Sequence, residues 1–148
     1  RSLLINPTYP ENWARMNELK QREKWRPFAP AVLKEDVNLY FKGLPNESPF
    51  MLFTAQVLKN NLPAITHVDG SARVQTVTEE TGGLFLILKK LKEISGCSVV
   101  LNTSFNGPKE PIVEKPEEAI NFLVTTKLDV LYLNGKKITR KINNTKET

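Results

Sequence analysis

An α/β domain on a mixed sheet is what this sequence predicts, and three observations predict it. The run CSVVL at residues 97–101 is short and almost wholly apolar, as a strand buried on both faces of a sheet must be. Helical and extended patterns alternate along the chain rather than segregating. Asn134-Gly135 sits between two extended runs, a two-residue hairpin signal that adds antiparallel strands at the end. At 148 residues, 40% of them hydrophobic, the chain has material for one ordinary core.

The elements follow in order. Residues 12–25 carry Trp13, Met16 and Leu19 near helical spacing, with Asn12 as a candidate cap, and predict a helix of three to four turns. PFAPAVL, bounded by prolines, suits a strand; KEDVNLYF suits a short helix; GLPNESP is a loop of turn formers. FMLFTAQV and the alternating residues 72–77 predict two further strands. GLFLILKKLKEIS, residues 83–95, combines an apolar face with lysines and stops before Gly96, a favourable C-terminal cap. Residues 116–126 open with proline at a first-turn position and predict a second sheet-packing helix. Residues 129–133 and 136–142 form the closing hairpin, and NNTKET, residues 143–148, is expected to be a disordered tail.

Charge and cysteine usage narrow the chemistry. The formal charge of +5, from 21 Lys and Arg against 16 Asp and Glu, favours anionic partners such as phosphates, nucleotides or nucleic acid. One cysteine, Cys97, excludes an intramolecular disulfide and fits a reducing, cytoplasmic setting. A single histidine excludes a histidine-based metal cluster within the chain. No apolar window has the roughly 18 to 20 residues of a membrane span. The chain opens RSLLINPTYP without an initiator methionine, which predicts a piece of something longer.

Four polar groups are candidates for chemistry: Lys20, Arg22 and Arg26 in KQREKWR; His67, Asp69 and Arg73 in HVDGSAR; Asn102, Thr103 and Ser104 in NTSFN; and Lys109-Glu110-Pro111. Each has a plain alternative: a solvated helix end, an Asp-Gly turn, a strand-to-loop transition, a structural turn. The functional reading of the first two is phosphate binding, because the planar arginine fork makes paired, charge-assisted hydrogen bonds. NTSFN directly follows a buried strand, and ligands of open α/β sheets gather beyond strand carboxyl ends. No GxxxxGK[ST], GxGxxG or HExxH motif is present. Electrostatic positioning of phosphates remains available as chemistry.

The order RSLL, MNELKQREKWRPFAPAVL, SPFM, PAITHVDGSARVQTV, LNTSFN, EPIV and PEEAINFL resembles the C-terminal domain of the NodU/CmcH-type carbamoyltransferases, from Arg1 to about Leu133. The resemblance implies a YrdC-like fold, an open twisted mixed sheet with flanking helices, over residues 1–142. It also implies a division of labour. An N-terminal Kae1-like domain, absent from this chain, holds the family's metal and carbamoylates an acceptor hydroxyl. The YrdC-like domain forms carbamoyl-adenylate from carbamoyl phosphate and ATP, with Mg2+ accompanying the ATP.

By motif, the resemblance implies that Lys20, Arg26 and Arg73 are the catalytic cations on the phosphates, with Arg22 beside them. Asn102, Thr103 and Ser104 then hold the adenylate or carbamoyl group, and His67 and Asp69 shape the loop. Two departures stand out: Lys109 replaces a glycine usual before EPIV, and the arginine- and glycine-containing segment that normally precedes RSLL is absent. A non-catalytic nucleotide- or RNA-binding YrdC-like module is the alternative, and a homodimer is left open. Aromatics at 8% of the chain, with no RRM-type stacking motif, weigh against nucleic acid.

Overall fold

The computed structural model describes residues 1–140 apart from Lys24 and Asn46; the tail expected at residues 143–148 lies outside the described residues. The main sheet holds four strands, β1 (Ser2–Ile5), β2 (Ala29–Leu33), β6 (Gln75–Val77) and β7 (Val99–Ser104), in the spatial order β1-β7-β2-β6. β7 runs antiparallel to β1 and β2, whereas β2 and β6 are parallel, so the sheet is mixed and open. A second antiparallel sheet contains β3 (Phe41–Lys42), β4 (Thr54–Val57) and β5 (Ser71–Arg73). β8 (Leu131–Leu133) and β9 (Lys136–Ile138) form the hairpin at Asn134-Gly135, where φ is +48° and +77°, as a type I′ turn requires.

Four helices flank these sheets: α1 (Glu11–Lys20), the short α2 (Val37–Tyr40), α3 (Gly83–Ser95) and α4 (Pro116–Thr125). β7 is buried on both faces, as its composition predicts. Val99 and Leu101 join the larger cluster with Met16 and Leu19 of α1 and Phe122 and Leu123 of α4. Val100 turns the other way and joins Ala31, Leu33, Val77 and Leu88, beneath α3. Strand side chains alternate, so Asn102 and Gln75 lie on the α3 side, two residues from Val100 and Val77 respectively. There Leu88 of α3 packs on the apolar half of the face, while Asn102 and Gln75 make up its polar half.

Three of the boundaries that differ from the sequence reading have a local reason. α1 begins at Glu11 after Pro10, and Asn12 does not cap it but donates its Nδ2 to the Asn6 carbonyl, 2.8 Å. It ends at Lys20 because Gln21 takes a left-handed conformation, φ +43°, so Arg22 and Glu23 lie outside the helix rather than in its last turn. The run FMLFTAQV forms a strand only from Thr54, since Met51 is also left-handed, φ +56°. Residues 72–77 make two strands: β5 pairs in the small sheet, the chain bends at the buried Val74, and β6 joins the main one.

Candidate functional site

β7 ends where the antiparallel β1 and β2 begin, with Ser2 opposite Ser104 and Ala29 opposite Asn102. A cavity of about 340 Å3 opens there, bounded by Arg22, Phe28, Arg73, Asn102, Thr103 and Ser104, with Ser2, Pro27, Ala29 and Met51. Five of the nine sequence-derived site residues therefore share one cavity. Arg22 is half-buried; its guanidinium stacks 4.6 Å above the Phe28 ring and donates to the Pro27 carbonyl, 3.2 Å. Its Nε is buried and has no partner. Burial and the neighbouring cation Arg26 lower its pKa; Glu23 opposes them and Arg73 adds to them. Arg22 and Arg73 line the same cavity as like charges, and both are poised to gain from an anion bound there.

Lys20 is placed differently. At the last position of α1 it is buried, and its Nζ shares three hydrogens among four acceptors, the Ser104 carbonyl (2.7 Å), Ser104 Oγ (3.2 Å), the Asn106 carbonyl (3.0 Å) and Asn106 Oδ1. It stands outside the cavity lining and ties down the loop that follows β7. Burial, with a smaller contribution from Arg22, lowers its pKa to about 8. Arg26 is exposed, pairs with Glu23 at 3.1 Å and stacks 5.4 Å from the centre of the Trp25 ring.

Arg26 lines a second cavity of about 640 Å3 with Trp13, Trp25, Ile65, His67 and Asp69; Pro27 and Phe28 wall both cavities. His67 and Asp69 form the turn that leads into β5. Gly70, at φ +78°, makes the turn, and its N–H donates to the His67 carbonyl, 2.9 Å. Asp69 Oδ1 accepts from the Ser71 N–H and hydroxyl, 3.0 and 2.7 Å, and these bonds hold its pKa below the ordinary value. Because Ser71 gives its hydrogen to Asp69, His67 Nδ1 must donate to Ser71 Oγ, 3.1 Å, leaving Nε2 buried without a partner. Burial lowers the His67 pKa against the pull of Asp69, so the ring is neutral at pH 7. The turn fixes the start of β5, and Arg73 at its end reaches the first cavity.

Three contributors were given no individual role by the sequence, although Asn106 belongs to NTSFN and Glu110 to the fourth candidate group. Gln75 accepts at Oε1 from Asn102 Nδ2, 2.8 Å, and donates to the Pro49 carbonyl, 3.2 Å. Asn106 Oδ1 accepts from Ser104 Oγ, 2.7 Å, and its Nδ2 donates to the Glu110 carbonyl, 2.7 Å. The Glu110 carboxylate accepts from the Gly107 N–H, 3.1 Å. The available signal for Gln75 was its position two residues before an inward valine. Among the described residues, no group of three or more His, Cys, Asp or Glu could hold a metal ion, and no helix is long and apolar enough to cross a membrane.

Fold and cavity define an α/β domain with a basic pocket at a strand end, and similarity to known proteins narrows this to a family. The family model described as "Carbamoyltransferase C-terminus" matches residues 1–140. "Nodulation protein NolO" of Bradyrhizobium diazoefficiens is 42% identical over 95% of this chain and 27% of its own length. "Nodulation protein NolNO" of Sinorhizobium fredii is 40% identical over 95% of the chain and 22% of its own length. "3'-hydroxymethylcephem-O-carbamoyltransferase" of Amycolatopsis lactamdurans is 38% identical over 81% of the chain and 23% of its own length. The chain belongs to the NodU/CmcH-type carbamoyltransferase family, in which it corresponds to the C-terminal domain. It spans about a quarter of the length of these relatives.

Proposed function

We propose that this domain forms carbamoyl-adenylate from carbamoyl phosphate and ATP, for transfer to an acceptor hydroxyl by an N-terminal Kae1-like domain. The observation that carries the reading is the convergence of Arg22 and Arg73 on one cavity with Asn102 and Ser104. Hydrolysis of carbamoyl phosphate yields carbamate and phosphate; the carbamate oxygen then attacks the α-phosphorus of ATP, and the bond to pyrophosphate breaks. Negative charge grows on the phosphoryl oxygens and the leaving group, where fixed cations stabilise it without reorganisation. Carbamate is already anionic, so no general base is required.

In this reading Arg22 and Arg73 hold phosphate oxygens, and the Arg22 Nε gains the partner it lacks. Lys20 acts through the Ser104–Asn106 loop that it ties down. Arg26 lies across Pro27-Phe28, so it reaches the nucleotide only where ATP extends between the two cavities. Magnesium enters as a ligand of the ATP phosphates.

The test is ATP–pyrophosphate exchange dependent on carbamoyl phosphate, in the protein joined to the N-terminal region that its relatives carry. Arg73→Ala should reduce exchange by at least about a hundredfold, the loss typical when one transition-state charge contact is removed. Normal exchange in that variant would refute the assignment.

A further inference from the structure

We infer that the outer flank of α3 and the free edge of β1 form one docking surface, and that its occupant is the stretch of polypeptide that joins this domain at Arg1 in the longer members of the family. The inference rests on family membership and not on the proposed reaction.

α3 is more apolar than its burial explains. Seven of its 13 residues are large apolar ones, yet Leu88 alone is buried. Leu84, Phe85 and Leu91 are partly covered by the cluster beneath, whereas Leu86, Ile87 and Ile94 are 67%, 48% and 75% exposed. The shorter α4 buries Ala119, Phe122 and Leu123, the single inward stripe usual for a surface helix. An apolar arc wider than the sheet covers is the pattern of a helix packed on a second side.

The geometry says which side. At about 100° per residue, Ile87 and Ile94 share one flank of the helix, and Lys89 and Lys92 occupy the opposite one. The lysine flank is closed: Lys89 and Lys92 approach Glu35 at 3.8 and 3.4 Å, and Lys92 reaches Asp36 at 2.8 Å, just past the end of β2. On the sheet, Leu4 packs on the same cluster as Leu84 and Leu91 and is itself only partly covered. It belongs to β1, which among the described residues pairs on one side only, with β7. An edge strand of this kind carries backbone groups that a further segment can bond.

Length and charge name the occupant. About three quarters of the relatives' length lies outside the part matched here, and the matched part is the C-terminal one, so their preceding polypeptide joins at Arg1. Arg1 adjoins the first residue of β1 and stands three residues from Leu4, roughly 10 Å of extended chain. α3 is about 20 Å long, so about a dozen residues are enough to run along the whole surface. Covalent attachment holds such a stretch near the face at an effective concentration of about millimolar. A second copy lacks that advantage and brings one formal charge of +5 toward another. The occupant that fits is a tethered segment with apolar side chains for Ile87 and Ile94.

Maleimide labelling of Ile87→Cys and of Ile94→Cys tests this, in the 148-residue chain and in the protein joined to the N-terminal region that its relatives carry. Lys89→Cys, on the closed flank, is the reference, and mass spectrometry locates each label and separates it from Cys97. Both isoleucine positions should label at least about tenfold more slowly in the joined protein, as expected of groups reached only when a docked segment opens. Lys89→Cys should label equally fast in both. Equal rates at positions 87 and 94 in the two proteins overturn the inference. So does equal slowing at all three positions, which a general shielding of α3 produces. Slow labelling in the 148-residue chain that quickens on dilution also overturns it, because a second copy then holds the face. Both isoleucines are exposed in this chain, so if one variant fails to fold the other decides. The expected labelling pattern upholds the inference even where pyrophosphate exchange fails, so this inference and the proposed function stand or fall separately.

Discussion

Replacing Lys20 by methionine separates two roles that the sequence alone cannot: a ligand of phosphate or a tether of the loop after β7. Methionine keeps most of the apolar stem inside the core and removes the ammonium. Four oxygens face that ammonium. Ser104 Oγ and Asn106 Oδ1 still have each other at 2.7 Å, so the cost falls on the carbonyls of Ser104 and Asn106. Each buried acceptor left unpaired costs about 1–3 kcal/mol, and relief from burying a charge beside Arg22 offsets part of the sum. The expected net loss is about 2 kcal/mol. With a urea m-value of about 1–3 kcal/mol/M, the unfolding midpoint should fall by about 1 M.

Urea unfolding followed by circular dichroism measures that shift, and calorimetry with carbamoyl phosphate measures the loss of binding that a loosened loop brings. Both should move together. A variant with an unchanged urea midpoint and no ligand binding would refute the reasoning, because it would put the ammonium on the ligand rather than on the loop.

Two further outcomes follow from individual groups. Lys109 holds φ at +58° on an exposed turn, where a residue with a Cβ pays about 1–2 kcal/mol and glycine pays none. Glycine loses about 0.5–1 kcal/mol through its freer unfolded state, so Lys109→Gly should stabilise the domain by about 0.5–1 kcal/mol, read as a raised urea midpoint. For Lys20, a folded pKa of about 8 against 10.5 means that the unfolded chain binds the extra proton between those values. Stability from this group therefore rises with pH from about 8 to 10.5, the reverse of a lysine that gains a carboxylate partner. Ligand affinity should fall as pH rises through about 8, where the folded protein loses the ammonium, and Lys20→Met, measured by the same urea and calorimetric titrations, should abolish both trends.

The sequence shows some parts of this fold directly because their signals are local. CSVVL is apolar without interruption, and the strand it forms sends Val99 and Leu101 to one cluster and Val100 to the other. Asn134-Gly135 and residues 83–95 are equally self-contained. The break at Val74 is not legible, since alternation continues through Ala72, Val74 and Thr76; which sheet each half joins depends on β4 and β2, far along the chain. The partners of Lys20 are 84 and 86 residues away, so its role is invisible from spacing. The Gln75–Asn102 amide pair is hidden for the same reason.

The division of the basic segment between two cavities follows from where α1 stops. Had the helix continued through Arg26, Arg22 and Arg26 would sit four apart on one face and act together. The left-handed Gln21 ends it instead, and the next residues are sorted by what they can lean on. Arg22 finds the Phe28 ring and the Pro27 carbonyl, which hold it in the smaller cavity with Arg73. Arg26 finds Glu23 and the Trp25 ring and faces the larger one. Pro27-Phe28 thus serves both as the wall between the cavities and as the seat of one arginine. Arg26 still acts on Arg22 as a like charge across that wall, whereas Arg73 shares with Arg22 a cavity in which a phosphate can offset the repulsion.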